Sequence, residues 1–382
     1  MNNKLINHLK KLLIKDNYLD LNTFLDVILY DKQFGFYNSI NRQKNELIGK
    51  EGHFITSPEI SQLFGELVGI WILQLCRENH FHNINLLELG PGKGTLMRDI
   101  LRIFSQQKEN INIKIHLLEF SKVLKSYQKE NLKQYGHELK WYNSIFKIKD
   151  QLNDNPTIII SNEFFDCLPI NQYKFYKTKN IYTKKIVRLD KNNFFFDEQV
   201  LEPQDIPFIS NIIKKDFDKL NEETTIEHSP FVLSHINQIC DIILENKGAN
   251  LLIDYGKNDP YGDTLQSVFK NERSNLFNKI GESDYSSLVD FSNIKQIVEN
   301  KNLQYYQLKT QREFLLEMGI NKRIENLSLN ANEFERKDLL SGYERLISKR
   351  QMGDIFKVNC FSNKNLEVPI FKIIKKNDKI SI

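Results

Sequence analysis

Residues 84–97 read INLLELGPGKGTLM and contain the change of pattern that decides the fold. The apolar residues up to Leu89 predict a buried parallel strand, and apolar residues then recur at helical spacing as far as Phe104. The glycines between them lie at a strand-to-helix turn, where doubly wound α/β folds bind their ligands. This segment therefore predicts an α/β fold with a nucleotide-type cofactor at the turn.

The spacing of these glycines separates three kinds of nucleotide site. A dinucleotide-binding turn follows G-x-G-x-x-G/A, and counting from Gly90 puts Thr95 at the third required position. A P-loop needs Gly-Lys-Ser/Thr in succession, whereas Gly94 separates Lys93 from Thr95. Binding of a phosphate group is therefore disfavoured at this turn.

Glu88 indicates the charge of the ligand. Its carboxylate lies two residues before the first glycine, where it would repel a pyrophosphate and attract an ammonium or sulfonium group. We therefore expect the cofactor to be S-adenosylmethionine.

The next strand supports this prediction. Residues 113–119 read IKIHLLE and alternate into an apolar strand that ends in Glu119. Many α/β folds place a carboxylate at this position on the ribose hydroxyls of a nucleotide. Ser121 then caps a predicted helix. A solvated loop is the alternative for Glu119, but its place one strand after a glycine turn favours cofactor binding.

Length and composition exclude several classes of protein. The chain has 382 residues, a formal net charge of +4 and mostly scattered basic residues, which predicts an ordered protein without a nucleic-acid partner. Its four cysteines form no C-x-x-C pair and its histidines no H-E-x-x-H motif, so we expect no metal and a reducing compartment. Neither a long apolar run nor a secretory signal is visible, which predicts a cytoplasmic protein without stable membrane insertion.

The order of the patterns predicts four regions. Residues 1–80 are predicted to be helical and to cover the site. Alternating strands and helices over 81–170 and 229–365 predict a Rossmann-like core with a parallel sheet. Short aromatic strands over 171–228 predict a β-rich insertion on the substrate side, and 366–382 form a basic tail.

The segment that begins at Thr56 predicts a helix start near the site. Thr56 and Glu59 have the spacing of a capping box, or Ser57 caps a helix whose first residue is Pro58. We expect this segment and the β-rich insertion to cover the acceptor and exclude water. Thr56, Ser57 and Glu59 are therefore candidates for the substrate side.

Residues 157–169 read TIIISNEFFDCLP, a buried strand followed by a polar end. Methyl transfer from a sulfonium depends mainly on alignment of donor and acceptor. If the acceptor is an arginine, its guanidinium is always cationic and needs one or two carboxylates to hold it. Glu163 and Asp166 have this chemistry and location, so they are the catalytic candidates. Alternatively, Asn162 and these two acids simply cap the loop.

Further acidic residues follow the later strands. Asp254 ends the apolar run 249–253, Asp263 follows Gly262, and 281–284 read GESD. Gly256 and Gly262 permit tight backbone turns, so a structural loop is the favoured interpretation of these segments. Because acidic side chains at this edge would favour a cationic substrate, Asp254 and Asp263 are candidates for the substrate side.

Three segments together resemble one known family. They read SPEISQLFGE over 57–66, LGPGKGTLM over 89–97 and NEFFDCLP over 162–169. The chain resembles the class I methyltransferases related to the mitochondrial complex I assembly factor that methylates arginine, including their bacterial relatives. The matching stretches begin at Gly52 and end at Val358, so the resemblance spans nearly the whole chain.

The resemblance implies a class I methyltransferase sheet that binds S-adenosylmethionine and acts on a protein arginine near Glu163 and Asp166. It also implies symmetric dimethylation of an arginine in the quinone-site subunit of respiratory complex I. Together with the reasoning from single residues, the cofactor-binding candidates are Glu88, Gly90, Pro91, Gly92, Gly94, Glu119 and Asn162.

Three positions depart from the family pattern. Lys93 stands where an arginine is common, His53 where an aspartate is common, and Asn271 where a histidine is expected. The first keeps its charge, and the other two concern the acceptor more than the cofactor. Two alternatives therefore stay open: a methyltransferase for a small molecule or another nucleophile, and an assembly chaperone that binds complex I subunits without turnover.

Overall fold

The computed structural model describes residues 3–39, 56–107, 111–207, 209, 223–329 and 331–371. Two parts of the sequence predictions, residues 52–55 with His53 and the basic tail beyond 371, lie outside the described residues. The described strands are β1 (Leu19–Asp20), β2 (Asn83–Leu89), β3 (Asn112–Leu118), β4 (Leu139–Tyr142), β5 (Thr157–Asn162), β6 (Asn171–Tyr176), β7 (Ile181–Asp190), β8 (Asn193–Val200), β9 (Thr225–His228), β10 (Gly248–Lys257), β11 (Gln266–Phe269), β12 (Glu272–Ser274), β13 (Asp284–Ser286), β14 (Val289–Asp290), β15 (Gln304–Tyr305), β16 (Lys309–Thr310) and β17 (Phe356–Ser362).

The described α-helices lie before, between and after these strands. They are α1 (Asn3–Asp16), α2 (Leu21–Tyr30), α3 (Phe36–Ser39), α4 (Ser57–Ile60), α5 (Gln62–Glu78), α6 (Thr95–Ser105), α7 (Lys122–Leu132), α8 (Ile145–Lys149), α9 (Pro230–Asn246), α10 (Phe291–Asn300), α11 (Gln311–Glu317), α12 (Ile320–Leu329), α13 (Glu333–Ile347) and α14 (Met352–Ile355). Among the residues described, none of these helices has the length and apolar composition that crossing a bilayer requires.

A nine-stranded sheet forms the centre of the molecule, in the order β15-β17-β10-β5-β2-β3-β4, with β14 beside β10 and β16 beside β17. The strands from β10 to β4 run parallel. Strand β17 runs antiparallel to β10. The prediction of a parallel sheet is therefore correct for the strands that carry the motifs and wrong at the β17 edge. An apolar pattern reports that a strand is buried, but not which way it runs.

Helices cover both faces of this sheet, which explains why its central strands are apolar throughout. On one face, α5, α6 and α11 to α13 pack around Trp71, Met97 and Phe314. On the other, α8 to α10 pack around Ile148, Ile239 and Phe291. The carboxyl ends of the parallel strands remain uncovered by these layers, and the site lies there.

The predicted helix after Pro58 is split in two. Helix α4 ends at Ile60, and α5 starts at Gln62 because the Ser61 side chain accepts a hydrogen bond from the Leu63 N–H. Thr56 is the N-cap residue of α4, as the first alternative predicted, but its side chain makes no capping bond. The second alternative is wrong, because Ser57 is already helical. The apolar stripe continues through the break, so the hydrophobic pattern alone could not show it.

The insertion is β-rich, as predicted. Strands β6 to β9 form an antiparallel sheet to which the short N-terminal strand β1 adds through β7. Helices α1 to α3 pack on this sheet through a separate apolar core that contains Leu9, Phe24, Val187 and Tyr285. The N-terminal helices and the insertion are therefore packed as one layer beside the main sheet.

Candidate active site

A cavity of about 400 Å³ opens at the carboxyl ends of β2, β3 and β5. Parallel strands end at one edge of a sheet, so three motifs distant in sequence meet there. Its wall also includes residues of α2, α3, α4, α9 and β13. This size lies in the range of pockets that hold small molecules and cofactors.

The glycine turn after β2 forms one wall of the cavity. Gly90, Gly92 and Gly94 have φ angles of 63°, 53° and 82°, in the left-handed region that favours glycine. A Cβ on Gly90 would lie 2.8 Å from the Phe164 ring, so a side chain has no room there. Gly90, Pro91 and Gly92 line the cavity, whereas Gly94 is the N-cap of α6 and packs against Gln128.

Helix α7 holds this turn through two amide side chains that the sequence analysis missed. Gln128 Nε2 donates to the carbonyl of Gly92 at 2.8 Å, and Asn131 Nδ2 donates to that of Lys93 at 2.8 Å. Gln128 also accepts from the Trp141 indole N–H at 2.7 Å. The sequence does contain a sign of this role for Gln128, because a polar residue lies on an apolar helix face. Leu124, Gln128 and Leu132 are all buried at i, i+4, i+8 spacing.

Two buried carboxylates flank the turn, as predicted from the sequence. Burial raises the pKa of Glu88 to about 8, and its Oε2 atom has no hydrogen-bond partner among the described residues. Burial raises the pKa of Glu119 to about 7, although hydrogen bonds from the Ser121 N–H and from Gln128 oppose the rise. Both side chains line the cavity. A cation placed between them would relieve the cost of desolvating their charged forms.

The cavity therefore fits S-adenosylmethionine on two structural grounds. The left-handed glycines leave space for close approach to the backbone, and the unpartnered Glu88 Oε2 has room for a cationic donor. Asn162 adds a third feature, because its Oδ1 atom is buried and without a partner while the residue lines the cavity.

Glu163 lies beyond Asn162, in a backbone conformation that is unusual for a side chain of its size. Its φ of 53° is left-handed, a geometry that costs about 1 to 3 kcal/mol and is concentrated at functional sites. Glu163 Oε1 accepts from the Ser57 N–H at 2.9 Å and from Asn162 Nδ2 at 3.0 Å. These bonds fix one carboxylate oxygen on the cavity wall.

Asp254 supports this loop from beneath the cavity. Its Oδ2 accepts from the N–H groups of Phe164 and Phe165 at 3.2 and 2.8 Å, and it is fully buried. Asp254 does not line the cavity, so the structure places it behind the loop that carries Glu163 and Asp166. Both of those acids do line the cavity.

These acids lie close enough to raise one another's pKa values. Burial raises the pKa of Glu163 to about 8, with Asp254 and Asp284 adding to it, while the bonds from Ser57 and Asn162 oppose the rise. Burial also raises the pKa of Asp166 well above its usual range, helped by Asp254, Glu163 and Asp284. None of the ion pairs found among the described residues involves Glu163, Asp166, Asp254 or Asp284.

The predicted substrate-side residues are only partly brought together. Thr56 and Glu59 line the cavity, and Glu59 Oε1 accepts from the Thr95 hydroxyl. Ser57 contributes only its backbone N–H to Glu163. Asp263 lies elsewhere, held by Lys185 at 2.6 Å and Gln172 at 2.7 Å.

Two other sequence expectations concern positions away from the cavity. None of the described residues of the insertion, 171–207, 209 and 223–228, lines it. Asn271, one of the departures from the family pattern, follows β11 at the turn of a hairpin, with a φ of 63°.

The lining residues that were not among the sequence candidates include Tyr30, Tyr37, Cys167 and Asp284. The Tyr37 hydroxyl donates to Asp284 Oδ1 at 2.9 Å, and the Tyr30 hydroxyl donates to the carbonyl of Cys167 at 3.0 Å. The two tyrosine rings stack at 5.4 Å. Burial raises the pKa of Asp284 to about 6. Its segment, GESD, had been noticed in the sequence, but a structural loop was the favoured interpretation.

Comparison with known proteins gives consistent matches. A family model for S-adenosyl-L-methionine-dependent methyltransferases matches residues 67–308. The mitochondrial protein arginine methyltransferase NDUFAF7 of Danio rerio is 31% identical over 379 residues, covering 93% of this chain and 86% of the relative. Its Homo sapiens counterpart is 30% identical over 339 residues, covering 81% and 74%.

A solved structure has the same fold over nearly its full length. It comes from Burkholderia thailandensis, is bound to S-adenosyl-homocysteine, and matches with a TM-score of 0.78 at 18% identity, covering 95% of this chain and 92% of the other. The sequence matches confirm the family resemblance and the cofactor class. This chain belongs to the family of S-adenosyl-L-methionine-dependent methyltransferases that includes the NDUFAF7 proteins.

Proposed function

We propose that this methyltransferase transfers the methyl group of S-adenosylmethionine to a terminal nitrogen of a protein arginine. The observation that carries the proposal is the group of acids Glu163, Asp166 and Asp254 around one end of the cavity, without an ion pair among the described residues. A guanidinium supplies the positive charge and the N–H donors that such a pocket lacks. The names of the relatives, which are protein arginine methyltransferases, agree with it.

The cofactor end would be formed by the glycine turn and the two flanking acids. When bound, S-adenosylmethionine supplies a methyl group on a positively charged sulfur. Gly90 and Gly92 allow it to approach the backbone, Glu119 accepts from its ribose hydroxyls, and Glu88 faces its positive charge. Gly94 serves indirectly, because it shapes the turn and starts α6.

The acceptor end would hold and align the guanidinium. Glu163 is fixed by the Ser57 N–H and the Asn162 amide, so one of its oxygens is already oriented before the arginine arrives. Asp166 lies on the same loop and offers the second carboxylate. A new N–C bond forms as the S–C bond breaks, and the nitrogen then loses a proton. A bound guanidinium favours the carboxylate form of Glu163, which then accepts that proton, and its pKa of about 8 suits this transfer near neutral pH.

The finer parts of the proposal rest on the sequence resemblance. They are symmetric dimethylation and a substrate arginine in the quinone-site subunit of respiratory complex I. Action in the cytoplasm is proposed from the composition of the chain instead. Asp263 and the insertion would then contact the substrate protein outside the cavity rather than the arginine itself. No metal and no nucleic acid are part of the proposed reaction.

Isotopic labelling tests the proposal directly. The protein is incubated with methyl-labelled S-adenosylmethionine and a lysate from cells that lack it, and labelled residues are identified by mass spectrometry. We expect label on the guanidinium nitrogens of arginine in one or a few proteins. Label confined to small molecules or to other residues would replace this proposal with the alternative acceptor, and cofactor binding without any transfer would favour the chaperone.

A further inference from the structure

Asp284 and Tyr37 line the cavity, and neither is used in the mechanism above. Asp284 begins β13 and Tyr37 lies in α3, yet their side chains are joined by a hydrogen bond of 2.9 Å. Both residues line the cavity together with Glu163 and Asp166. Asp284 is also near enough to raise the pKa values of Glu163 and Asp166.

We infer that Asp284 is a further binding residue for the acceptor guanidinium, and that Tyr37 is the positioning residue that orients its carboxylate. This inference rests on the proposed function. A guanidinium presents five N–H donors in one plane that point in several directions, so the two acids of one loop can face only some of them. A carboxylate on a different element can accept from the nitrogen that is not being methylated.

The surroundings of Asp284 favour a ligand over a purely structural role. Its described hydrogen bonds come from the Tyr37 hydroxyl and the Tyr285 N–H, and both are neutral donors. Burial raises its pKa to about 6, so at neutral pH it is mainly charged while the more strongly shifted Glu163 is partly protonated. An independent sign of a ligand is the buried, unpartnered Oδ1 of Asn162 on the same cavity wall.

The pair would also account for selection of the cation. A lysine ammonium is a compact point charge that one or two neighbouring carboxylates can satisfy, whereas a planar guanidinium benefits from acceptors placed on more than one side. Asp284 lies on β13, a different element from the loop that carries Glu163 and Asp166, and it lines the same cavity.

The test measures labelled methylarginine at increasing concentrations of the lysate from cells lacking the enzyme. Asp284→Asn keeps an acceptor for Tyr37 and removes the charge, so the half-saturating lysate concentration should rise about 10- to 100-fold. Tyr37→Phe should raise it about 3- to 10-fold and move the pH profile upward, because the hydroxyl that lowers the pKa of Asp284 is lost. The affinity for S-adenosylmethionine, measured by calorimetry, should stay within about twofold of wild type.

Tyr285→Phe is the matched control. It removes a hydroxyl from the residue next to Asp284, where that hydroxyl donates to the Leu276 carbonyl at 2.6 Å outside the cavity. Its half-saturating concentration should equal that of wild type. An unchanged half-saturating lysate concentration in both Asp284→Asn and Tyr37→Phe, or an equally large change in Tyr285→Phe, would overturn the inference. The proposed arginine methylation would still stand. Wild-type protein that labels no arginine would instead overturn the proposed function, and this inference with it.

Discussion

Two clusters of acids in the described part of the chain differ in how their charge is met, because only one of them contains arginines. Between α5, α6 and α12, Glu66 contacts Arg102 at 3.3 Å and Arg323 at 2.8 Å. In the same cluster, Asp99 contacts Arg98 at 3.1 Å and Arg102 at 3.0 Å. We call these five residues the arginine-paired cluster.

The second place is the group formed by Glu163, Asp166, Asp254 and Asp284, which we call the cavity acids. Their described partners are backbone N–H groups, the Asn162 amide and the Tyr37 hydroxyl, all neutral. Burial raises pKa values in both clusters, but Arg98 and Arg102 oppose that rise at Asp99. At Glu163 the neighbouring acids add to it instead.

The difference indicates what each cluster is for. A buried carboxylate is costly unless a cation meets it, and the arginine-paired cluster shows how this chain solves that problem where only stability is at stake. The cavity acids lack that solution within the described structure, so a cationic ligand would complete them. This is the physical reason for preferring an arginine acceptor, and experiments can test it.

The largest expected effect is the loss of activity in Glu163→Gln. The amide keeps an oxygen for Ser57 and Asn162 but removes the charge that faces the acceptor. We expect arginine methylation to fall about a thousandfold, equivalent to about 4 kcal/mol, with little change in S-adenosylmethionine affinity. Single-turnover transfer and calorimetry measure the two quantities.

Glu227→Gln is the control for that variant. Glu227 is also buried and hydrogen-bonded, to Gln172 and Thr264, but it does not line the cavity. Its transfer rate should stay within about twofold of wild type. Equal rates in Glu163→Gln and wild-type protein would show that the cavity acids do not hold the acceptor, and the contrast between the clusters would lose its functional meaning.

The two clusters also differ in how far the sequence predicts them. The glycine turn, the acids at the ends of β2, β3 and β5, and the Ser121 cap follow from short local patterns, and all are present. A capping or turn motif is decided by a few consecutive residues, so no tertiary information is needed.

The missed features depend on contacts between distant parts of the chain. Tyr37 and Asp284 are 247 residues apart, and Glu66 and Arg323 are 257 apart. The sequence around each of these residues does not indicate its partner. Many acids on surface loops have no such partner. The antiparallel direction of β17 and the break at Ser61 were missed for related reasons, because burial patterns report neither strand direction nor a change of helix axis.

The second-largest expected effect is on the free energy of unfolding. Arg102→Met keeps much of the aliphatic stem but removes the guanidinium that bridges Glu66 and Asp99. Each acid keeps one arginine, and the Arg102 side chain is 28% exposed, so we expect a loss of about 2 kcal/mol rather than the full cost of breaking a buried pair. Urea denaturation measures this free energy of unfolding.

The control for this variant is Lys322→Met. Lys322 pairs with Glu325 at 3.1 Å, but both side chains are largely exposed, so the change should stay within about 0.5 kcal/mol. If Arg102→Met were as stable as the control, the arginine-paired cluster would stabilise the fold no more than a surface ion pair does. It could then not serve as the example of buried acids neutralised by arginines.

The smallest effect is on how stability varies with pH. The pKa of Glu163 is raised from its usual value of 4.5 to about 8, so between these values the folded protein binds a proton that the unfolded chain has released. The stability that this proton provides is fully present below the unfolded pKa and is lost as the pH rises through the folded one. Wild-type protein should therefore lose stability between about pH 6 and pH 8 relative to Glu163→Gln, whose amide does not titrate. Because Glu163 borders the cavity, where water reduces the effect, we expect a difference of about 1 kcal/mol.

Denaturation of wild type, Glu163→Gln and Arg102→Met at pH 6, 7 and 8 separates this titration from general destabilisation. Arginine stays charged throughout this range, so Arg102→Met should lower the free energy of unfolding by a similar amount at each pH. Glu163→Gln should instead converge on wild type at low pH and exceed it at high pH. Parallel curves for all three proteins would mean that Glu163 carries no extra proton in the folded state. The cavity would then already be neutralised by a group other than its ligand, and a cationic acceptor would no longer follow from its electrostatics.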